Sequence, residues 1–285
     1  MLLLPADVLR PRRPDDHFAG EARAAREAGL DVALIDHDAL TTGGGAVGAL
    51  ARVPEPTTER AAIYRGWMMR SEQYEQFAQA LARRNILLLT SPEQYRQAHE
   101  LPGWYAALAD VTPASAWTSG DTPDGFARAC TDLGPGPAVL RDYTKSMKHY
   151  WREAAFIPDL ADRDAAWAVA QRFRQLRDDD FTGGFVLRRF ERFVSAEVRT
   201  WWVNGVCRLI GPHPDTPHDD PRVEMDLTDA EPLVAALRLP FVTVDFALRD
   251  DGVWRVIEIG DGQVSDRPTT ISPENFIANI TGTGS

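Results

Sequence analysis

The chain has 285 residues and 31.6 kDa, with 44% hydrophobic and 26% charged residues, a formal net charge of −11 and a pI near 5.0. That length suits two domains, each able to bury a core, and no run reaches the roughly 18 apolar residues of a membrane span, so a soluble cytoplasmic protein without a membrane partner is expected. The acidic balance excludes a surface that coats nucleic acid, which clustered Lys and Arg would have to drive. Two cysteines, Cys130 and Cys207, provide neither a disulfide framework nor a zinc spacing.

Met1-Leu2-Leu3-Leu4-Pro5 is too short for a signal peptide and reads as a first strand. Phe18, Ala22, Ala25 and Leu30 recur at helical spacing up to Gly29, and Asp31 to Asp36 reads as a buried parallel strand. Strand, helix and strand over about 35 residues form a βαβ unit. Thr41-Thr42-Gly43-Gly44-Gly45 is a glycine-rich turn without the spacing of a dinucleotide-binding loop, and a simple change of chain direction explains it. Ala61 to Arg65 predicts a strand, Tyr74 to Arg84 a helix, and Ile86 to Leu89 another strand.

After Leu108 the composition turns to Thr112-Pro113, Thr118-Ser119-Gly120 and Gly134-Pro135-Gly136-Pro137, which places a domain boundary near 110, with a short helix over Asp124 to Cys130. The second half has a different rhythm. Ala138 to Arg141, Phe185 to Phe190, Glu197 to Val203, Val206 to Ile210, Val242 to Leu248 and Val253 to Ile259 all read as strands, and Arg163 to Arg177 as a helix. Asn204-Gly205 and Asp251-Gly252 accept the positive φ of tight hairpin turns, so this half is expected to be mainly antiparallel. Of the adjacent Trp201 and Trp202, at least one belongs in the core, since neighbours on a strand face opposite sides.

Four features here carry chemistry. Arg141-Asp142-Tyr143-Thr144-Lys145-Ser146-Met147-Lys148-His149 sets cations and hydroxyls just beyond a strand, and Lys145 and Lys148 are the only lysines among 31 basic residues. Two ammonium groups three residues apart can face one phosphate chain, although a solvated basic turn would look the same. Glu197-Val198-Arg199 points two polar side chains to one face, where a carboxylate could meet a ribose and the guanidinium a phosphate, or the two could simply join a cross-strand ion pair. Asp245, within Val244-Asp245-Phe246-Ala247, and Glu258, within Val256-Ile257-Glu258-Ile259-Gly260-Asp261-Gly262, would face each other across the Asp251-Gly252 turn. Two such carboxylates need a cation or a shared proton, and with Asp261 they make a hard oxygen set suited to Mg²⁺; a proton-sharing dyad or an edge pair is the rival. The fourth is Phe185 to Glu191, whose apolar positions could clamp an adenine or simply fill a core strand.

In this order the lysine loop, the intervening strand, the acidic-x-Arg strand and the paired carboxylates resemble the ATP-grasp superfamily, more narrowly its bacterial and phage clade named for one arginine and two lysines. The wording that carries this is Val139-Leu140-Arg141 through Lys145-Ser146-Met147-Lys148 and Val256 through Gln263, with Tyr64-Arg65-Gly66-Trp67 and Leu101-Pro102-Gly103-Trp104-Tyr105 in the first half. The resemblance implies an α/β N-terminal domain (Rossmann-like, pre-ATP-grasp) over 1–110 and an α+β ATP-grasp domain with antiparallel sheets over 111–285. It further implies ATP and Mg²⁺ as cofactors. Lys145 and Lys148 would hold phosphates, Arg141 would stand at a first phosphate-binding position, and Arg188, Arg189, Phe190 and Glu191 would meet the nucleotide. Glu197 would take the ribose, Arg199 the triphosphate, and Asp245 and Glu258 the metal. Gly260 replaces the oxygen-bearing side chain that usually ends the metal motif, and Asp261 can substitute only if a bulge or loop begins there.

The reaction implied is ligation of a small-molecule or peptide carboxylate to an amine, or less often another nucleophile, through an acylphosphate, with a homo-oligomer compatible. Arg65 and Trp67, with Arg188 and Arg189, are candidate acceptor contacts, though each could equally be structural. A kinase that hands the phosphoryl group to a hydroxyl, and a non-catalytic nucleotide-binding protein, would keep every one of these features.

Overall fold

Leu2, Leu3 and Leu4 are all buried in β1 (Leu2–Pro5), and the reason is that both faces of its sheet are covered. The computed structural model describes residues 1–42, 44–219 and 225–282, so Gly43 of the glycine-rich turn and the last three residues lie outside the described residues. Contacts divide the chain into two units that interleave along the sequence: residues 1–98, 196–246 and 258–285 form the first, and 99–195 with 247–257 the second.

In the first unit β1 pairs in parallel with β2 (Val32–Ile35) and β3 (Arg60–Tyr64), and β3 with β4 (Ile86–Leu88), in the order β2-β1-β3-β4. Alternation along β1 sends Leu3 to one core and Leu2 and Leu4 to the other. Helix α1 (Ala19–Glu27) buries Ala22 and Ala25 in the same core as Phe18, α2 (His37–Thr41) is capped by the Asp36 carboxylate, and α3 (Ala46–Ala49) is a single turn. Helix α4 (Ser71–Ala82) buries Tyr74, Phe77 and Leu81 at helical spacing against Leu3, Ile35 and Tyr64, and α5 (Pro92–His99) adds Tyr95, whose ring stacks on Tyr74.

The second unit begins with α6 (Leu101–Leu108), a helix that Pro102 and Gly103 hide from a periodicity reading. Its antiparallel sheet runs in the order β5 (Ser115–Trp117), β8 (Val186–Arg189), β6 (Ala138–Arg141), β7 (Phe156–Ile157). Helices α7 (Pro123–Leu133) and α8 (Arg163–Arg177) start at the side-chain caps Thr122 and Asp162 and bury Phe126, Ala166, Ala170 and Phe173 with Phe185 and Leu187. The α8 span agrees with the one read from the sequence.

Back in the first unit, β9 (Val198–Val203) and β10 (Val206–Pro212) form a hairpin through Asn204 and Gly205, both at positive φ, as expected. One extra residue at Arg208 shifts its register, so Leu209 rather than Arg208 faces Trp201. β9 pairs on its other edge with β11 (Phe241–Leu248), which neighbours β12 (Trp254–Asp261). The turn before β12 differs from expectation in one respect: Gly252 alone takes positive φ, and the Arg249 N–H donates to the Val253 carbonyl, so the connection is wider than a two-residue turn. Trp201 and Trp202 are both buried, α9 (Glu231–Ala236) sets Val234 into the interior, and α10 (Pro273–Thr281), capped by Ser272, joins α1 in the core of Leu2, Leu4, Trp201 and Phe241.

Two buried polar clusters tie the segments of this unit together. Arg65, 1% exposed, meets Glu21 at 2.8 and 3.1 Å and donates to the carbonyls of Gly262, Gln263 and Ser265. Asp261 accepts from the Gln263 N–H and Nε2 and from the Thr90 hydroxyl, and Gln263 Nε2 also donates to Tyr74. Burial pushes the Asp261 carboxyl up to about 6 against the pull of these donors.

Both clusters generate measurable outcomes. Glu21→Gln strips the counter-charge from a buried guanidinium and should destabilise the protein by about 3–5 kcal/mol in a urea titration; a loss under about 1 kcal/mol would contradict the role given to the pair. For Asp261 the folded pKa lies above the ordinary value of 3.8, so its cost is absent below that value and complete above about 6. Relative to Asp261→Asn, the wild type should lose about 2 kcal/mol of stability as pH rises from about 4 to about 6. Parallel stability curves for the two proteins across that window would refute the shift.

Candidate functional site

The lysine segment is built on one carboxylate. Asp142, fully buried, follows β6 and accepts from the Thr144 N–H and hydroxyl, the Lys145 N–H, the Thr182 N–H and Arg177 Nε at 2.8 Å. An aspartate reaching backbone N–H groups two and three residues on closes a local turn, and here the last turn of α8 braces it through Arg177. Lys145 and Ser146 stand exposed on that turn and Lys148, also exposed, opens the single 3-10 turn that follows, while Arg141 is buried and donates to the carbonyls of Asp142 and Thr144. The two lysines and Arg141 are thus on one segment, with the lysines outward and the arginine shaping the turn beneath them.

The other nucleotide candidates of the second unit have structural partners. Arg188, on β8, donates to Ile257 O, Val256 O and Thr112 Oγ1. Arg189 donates to the carbonyls of Leu133, Gly134, Pro135 and Pro137, capping the C-terminus of α7 where a cation is favoured. Glu191 pairs with Arg255 at 3.0 Å and Arg249 at 3.4 Å. Phe190 contributes its ring to a half-exposed aromatic group with Phe156 and Trp151, at centroid distances of 5.3 and 6.3 Å. Of this strand only Phe190 presents a surface on which a planar base could stack.

In the first unit, antiparallel register sets Arg199 of β9 opposite Asp245 of β11. The guanidinium meets the carboxylate with two bonds, Nε to Oδ1 at 2.8 Å and Nη2 to Oδ2 at 2.7 Å. Burial alone would raise the Asp245 carboxyl, but Arg199 and His213 outweigh it and bring it down to about 2. Burial works against the Arg199 charge as well, and Asp245, Glu258 and Asp266 more than offset it, raising the guanidinium above its ordinary range. Glu258 is half-buried on β12 and near enough for its charge to act on Arg199.

The acidic set differs from the one read from the sequence. Among the described residues, the ligand-bearing atoms that close to within 4.8 Å of one another belong to Glu197, His213 and Asp245. Asp261 stands apart: it ends β12, and its oxygens accept from Thr90 and Gln263 instead. Glu197, expected at a ribose, lies in the acidic cluster. Arg65 and Trp67, the candidate acceptor contacts, are respectively locked inside the first unit and packed on His17 and Phe18 at 36% exposure.

His213 and Asp142 were missed, and only Asp142 had a signal in the sequence. Counting back from the Asn204-Gly205 turn sets Pro212 opposite Glu197; the bulge at Arg208 moves His213 there, and its N–H donates to the Glu197 carbonyl at 3.0 Å. Asp142 stands two residues before a threonine, the pattern of a side-chain-closed turn.

A family model for an ATP-grasp domain, the third family of the clade named for one arginine and two lysines, matches residues 132–280. No curated protein sequence matches the chain. Among solved structures, an ATP-grasp RimK domain protein from Sphaerobacter thermophilus superposes with a TM-score of 0.63 at 14% identity, covering 99% of this chain and 98% of that one. D-cycloserine synthetase DcsG gives 0.64 at 16%, with 99% of each chain covered. The ATP-grasp ligase PsnB, complexed with a minimal precursor, Mg and ADP, gives 0.57 at 13%, covering 99% and 97%. These likenesses agree with the two antiparallel sheets in showing an ATP-grasp fold. With its family model spanning more than half of the sequence, the chain belongs to the third family of the one-arginine, two-lysine clade of ATP-grasp domains.

Proposed function

We propose that the protein is an ATP- and Mg²⁺-dependent ligase that phosphorylates a carboxylate and passes the acylphosphate to an amine or another nucleophile, releasing ADP and phosphate. The observation that carries this reading is the Asp142-braced turn, which presents Lys145 with Lys148 exposed just beyond it, in a family whose clade is matched over that segment. In this reading residues 1–110 form a pre-ATP-grasp-like, Rossmann-like module and 111–285 the nucleotide-binding module.

Lys145 and Lys148 bind the phosphate chain as mobile point charges, and Arg199 meets the triphosphate with its planar fork. The donor chemistry of Asp245 fits a hard cation, since its carboxyl is held ionised down to about 2 with Glu258 as a neighbouring oxygen source. Mg²⁺, when bound, would neutralise charge on the phosphate oxygens. Phe190 with Trp151 and Phe156 offers a stacking surface for the base. No protein nucleophile or base is needed, because a neutral amine attacks an acylphosphate directly.

The acceptor is a small molecule or a peptide. PsnB, a similar fold, is complexed with a precursor, Mg and ADP, and DcsG is a D-cycloserine synthetase, which supports ligation chemistry of either size. Among the described residues no helix is long and apolar enough to cross a membrane, in keeping with a cytoplasmic enzyme.

The test is a titration of the protein with ATP and a non-hydrolysable analogue, with and without Mg²⁺, then phosphate release against pooled amino acids, peptides and small carboxylates. Metal-dependent binding and acceptor-stimulated release of ADP and phosphate are expected. Lys145→Ala and Lys148→Ala together should weaken ATP at least about tenfold, roughly 1.4 kcal/mol, with an unchanged unfolding midpoint because both side chains are exposed. Wild-type affinity in the double variant would remove the phosphate assignment, and Asp245→Asn with intact turnover would remove the metal assignment.

A further inference from the structure

The ligase reading gives His213 no task, yet it sits among charged groups in a defined way. It follows β10, is 13% exposed, and places Nε2 2.8 Å from Arg199 Nη2 and 3.5 Å from Asp245 Oδ2. The same Arg199 nitrogen lies 2.7 Å from Asp245 Oδ2. One cationic nitrogen therefore contacts both an imidazole nitrogen and a carboxylate oxygen, and the Glu197 carboxylate closes the group within 4.8 Å. Three adjacent strands supply the three side chains: β9 begins just after Glu197, β10 ends just before His213, and β11 carries Asp245.

The donor set decides which ion such a group prefers. Mg²⁺ favours oxygen ligands and retains several waters, whereas an imidazole with carboxylates suits first-row transition ions. The histidine must present a bare Nε2 to ligate, with its proton on Nδ1. That is the tautomer in which Nε2 accepts from Arg199. The Asp215 N–H, 3.1 Å from Nδ1, favours the other tautomer, so the two contacts compete for the ring and a cation at Nε2 settles the contest. In the metal-ready form the Asp215 carboxylate, with Oδ2 3.8 Å from Nδ1, is the acceptor that would hold the imidazole.

We propose that Glu197, His213 and Asp245 form a divalent-cation site of mixed nitrogen and oxygen donors, selective for Mn²⁺ and related first-row ions over Mg²⁺, for which the Arg199 guanidinium is the competing occupant. Ion and guanidinium use the same lone pairs of Asp245 and His213, so binding of the ion displaces Arg199 from Asp245. This goes beyond the ligase reading, since it requires no nucleotide. Within that reading, the displaced guanidinium is the one that meets the triphosphate, so occupancy of the site and availability of Arg199 are coupled.

The test uses the full-length protein without nucleotide. Mn²⁺ is titrated by the electron-paramagnetic-resonance signal of the free ion, Mg²⁺ by its competition, and pulsed resonance on the bound Mn²⁺ reads coupling to imidazole nitrogen. Mn²⁺ is expected to bind at least tenfold more tightly than Mg²⁺ with a nitrogen coupling. His213→Gln should abolish that coupling and weaken Mn²⁺ at least tenfold, leaving Mg²⁺ within twofold. Arg199→Gln should tighten Mn²⁺. Wild-type protein that binds Mn²⁺ no better than Mg²⁺, or shows no nitrogen coupling, overturns the proposal even if a variant fails to fold. Because these measurements omit ATP, failure here leaves the ligase reading standing, and failed ATP turnover leaves this site standing.

Discussion

The position of the end of β12 depends on Arg65. Its guanidinium reaches from the end of β3 to three carbonyls after β12, at Gly262, Gln263 and Ser265, with Glu21 of α1 as counter-charge. Gln263 completes the tie, since its Oε1 accepts from the Tyr64 N–H and its carbonyl from the Gly66 N–H. A guanidinium offers five donors in a fixed fork, so one buried side chain can fix the exit of β12 against the parallel sheet in register and direction. This is why residues far apart in sequence, 1–98 and 258–285, share one compact unit.

The same fact explains what could be read in advance. Hairpins, the parallel βαβ start and α8 were legible because turn chemistry and periodicity are local. The pairing of Asp245 with Arg199 was not, since the sequence set Asp245 against Glu258 and nothing local shows that β9 and β11, far apart along the chain, are neighbours. Arg65 was not legible as a structural residue. In sequence it is a cation beside a tryptophan, the same signature as an acceptor contact, and only the burial of Glu21 and three carbonyls around it gives it another role. Arg188 and Arg189 misled for the same reason: a guanidinium that caps carbonyls and one that binds phosphate look alike until the chain folds. His213 was hidden by a single inserted residue, because a bulge changes register without changing composition.

A division of labour between the two kinds of cation runs through the molecule. Arg65, Arg141, Arg177, Arg188 and Arg189 are each engaged with carbonyls or a buried carboxylate, where a rigid planar donor set orders several acceptors at once. The two lysines are exposed, Lys145 on a turn whose shape comes from Asp142 and Arg177 and Lys148 just beyond it. Arginine organises and lysine is presented, which follows from the compact, rotatable ammonium being the better point charge for a ligand that arrives and leaves.

Arg199 is also engaged with a buried carboxylate, and its pairing is informative because a buried ion pair is a poor source of stability. Taking both charges out of water offsets most of their attraction, and apolar replacements of similar volume are often as stable. The pair at Asp245 therefore has to be understood through the state it maintains: a carboxylate kept ionised to about 2 despite burial, with an imidazole nitrogen beside it. A cation of higher charge could take up that prepared carboxylate without first removing a proton, and the guanidinium it displaced would be left charged and in need of an anion. In the proposed ligase, one pair of residues on adjacent strands would thus supply both a metal ligand and a phosphate-seeking arginine.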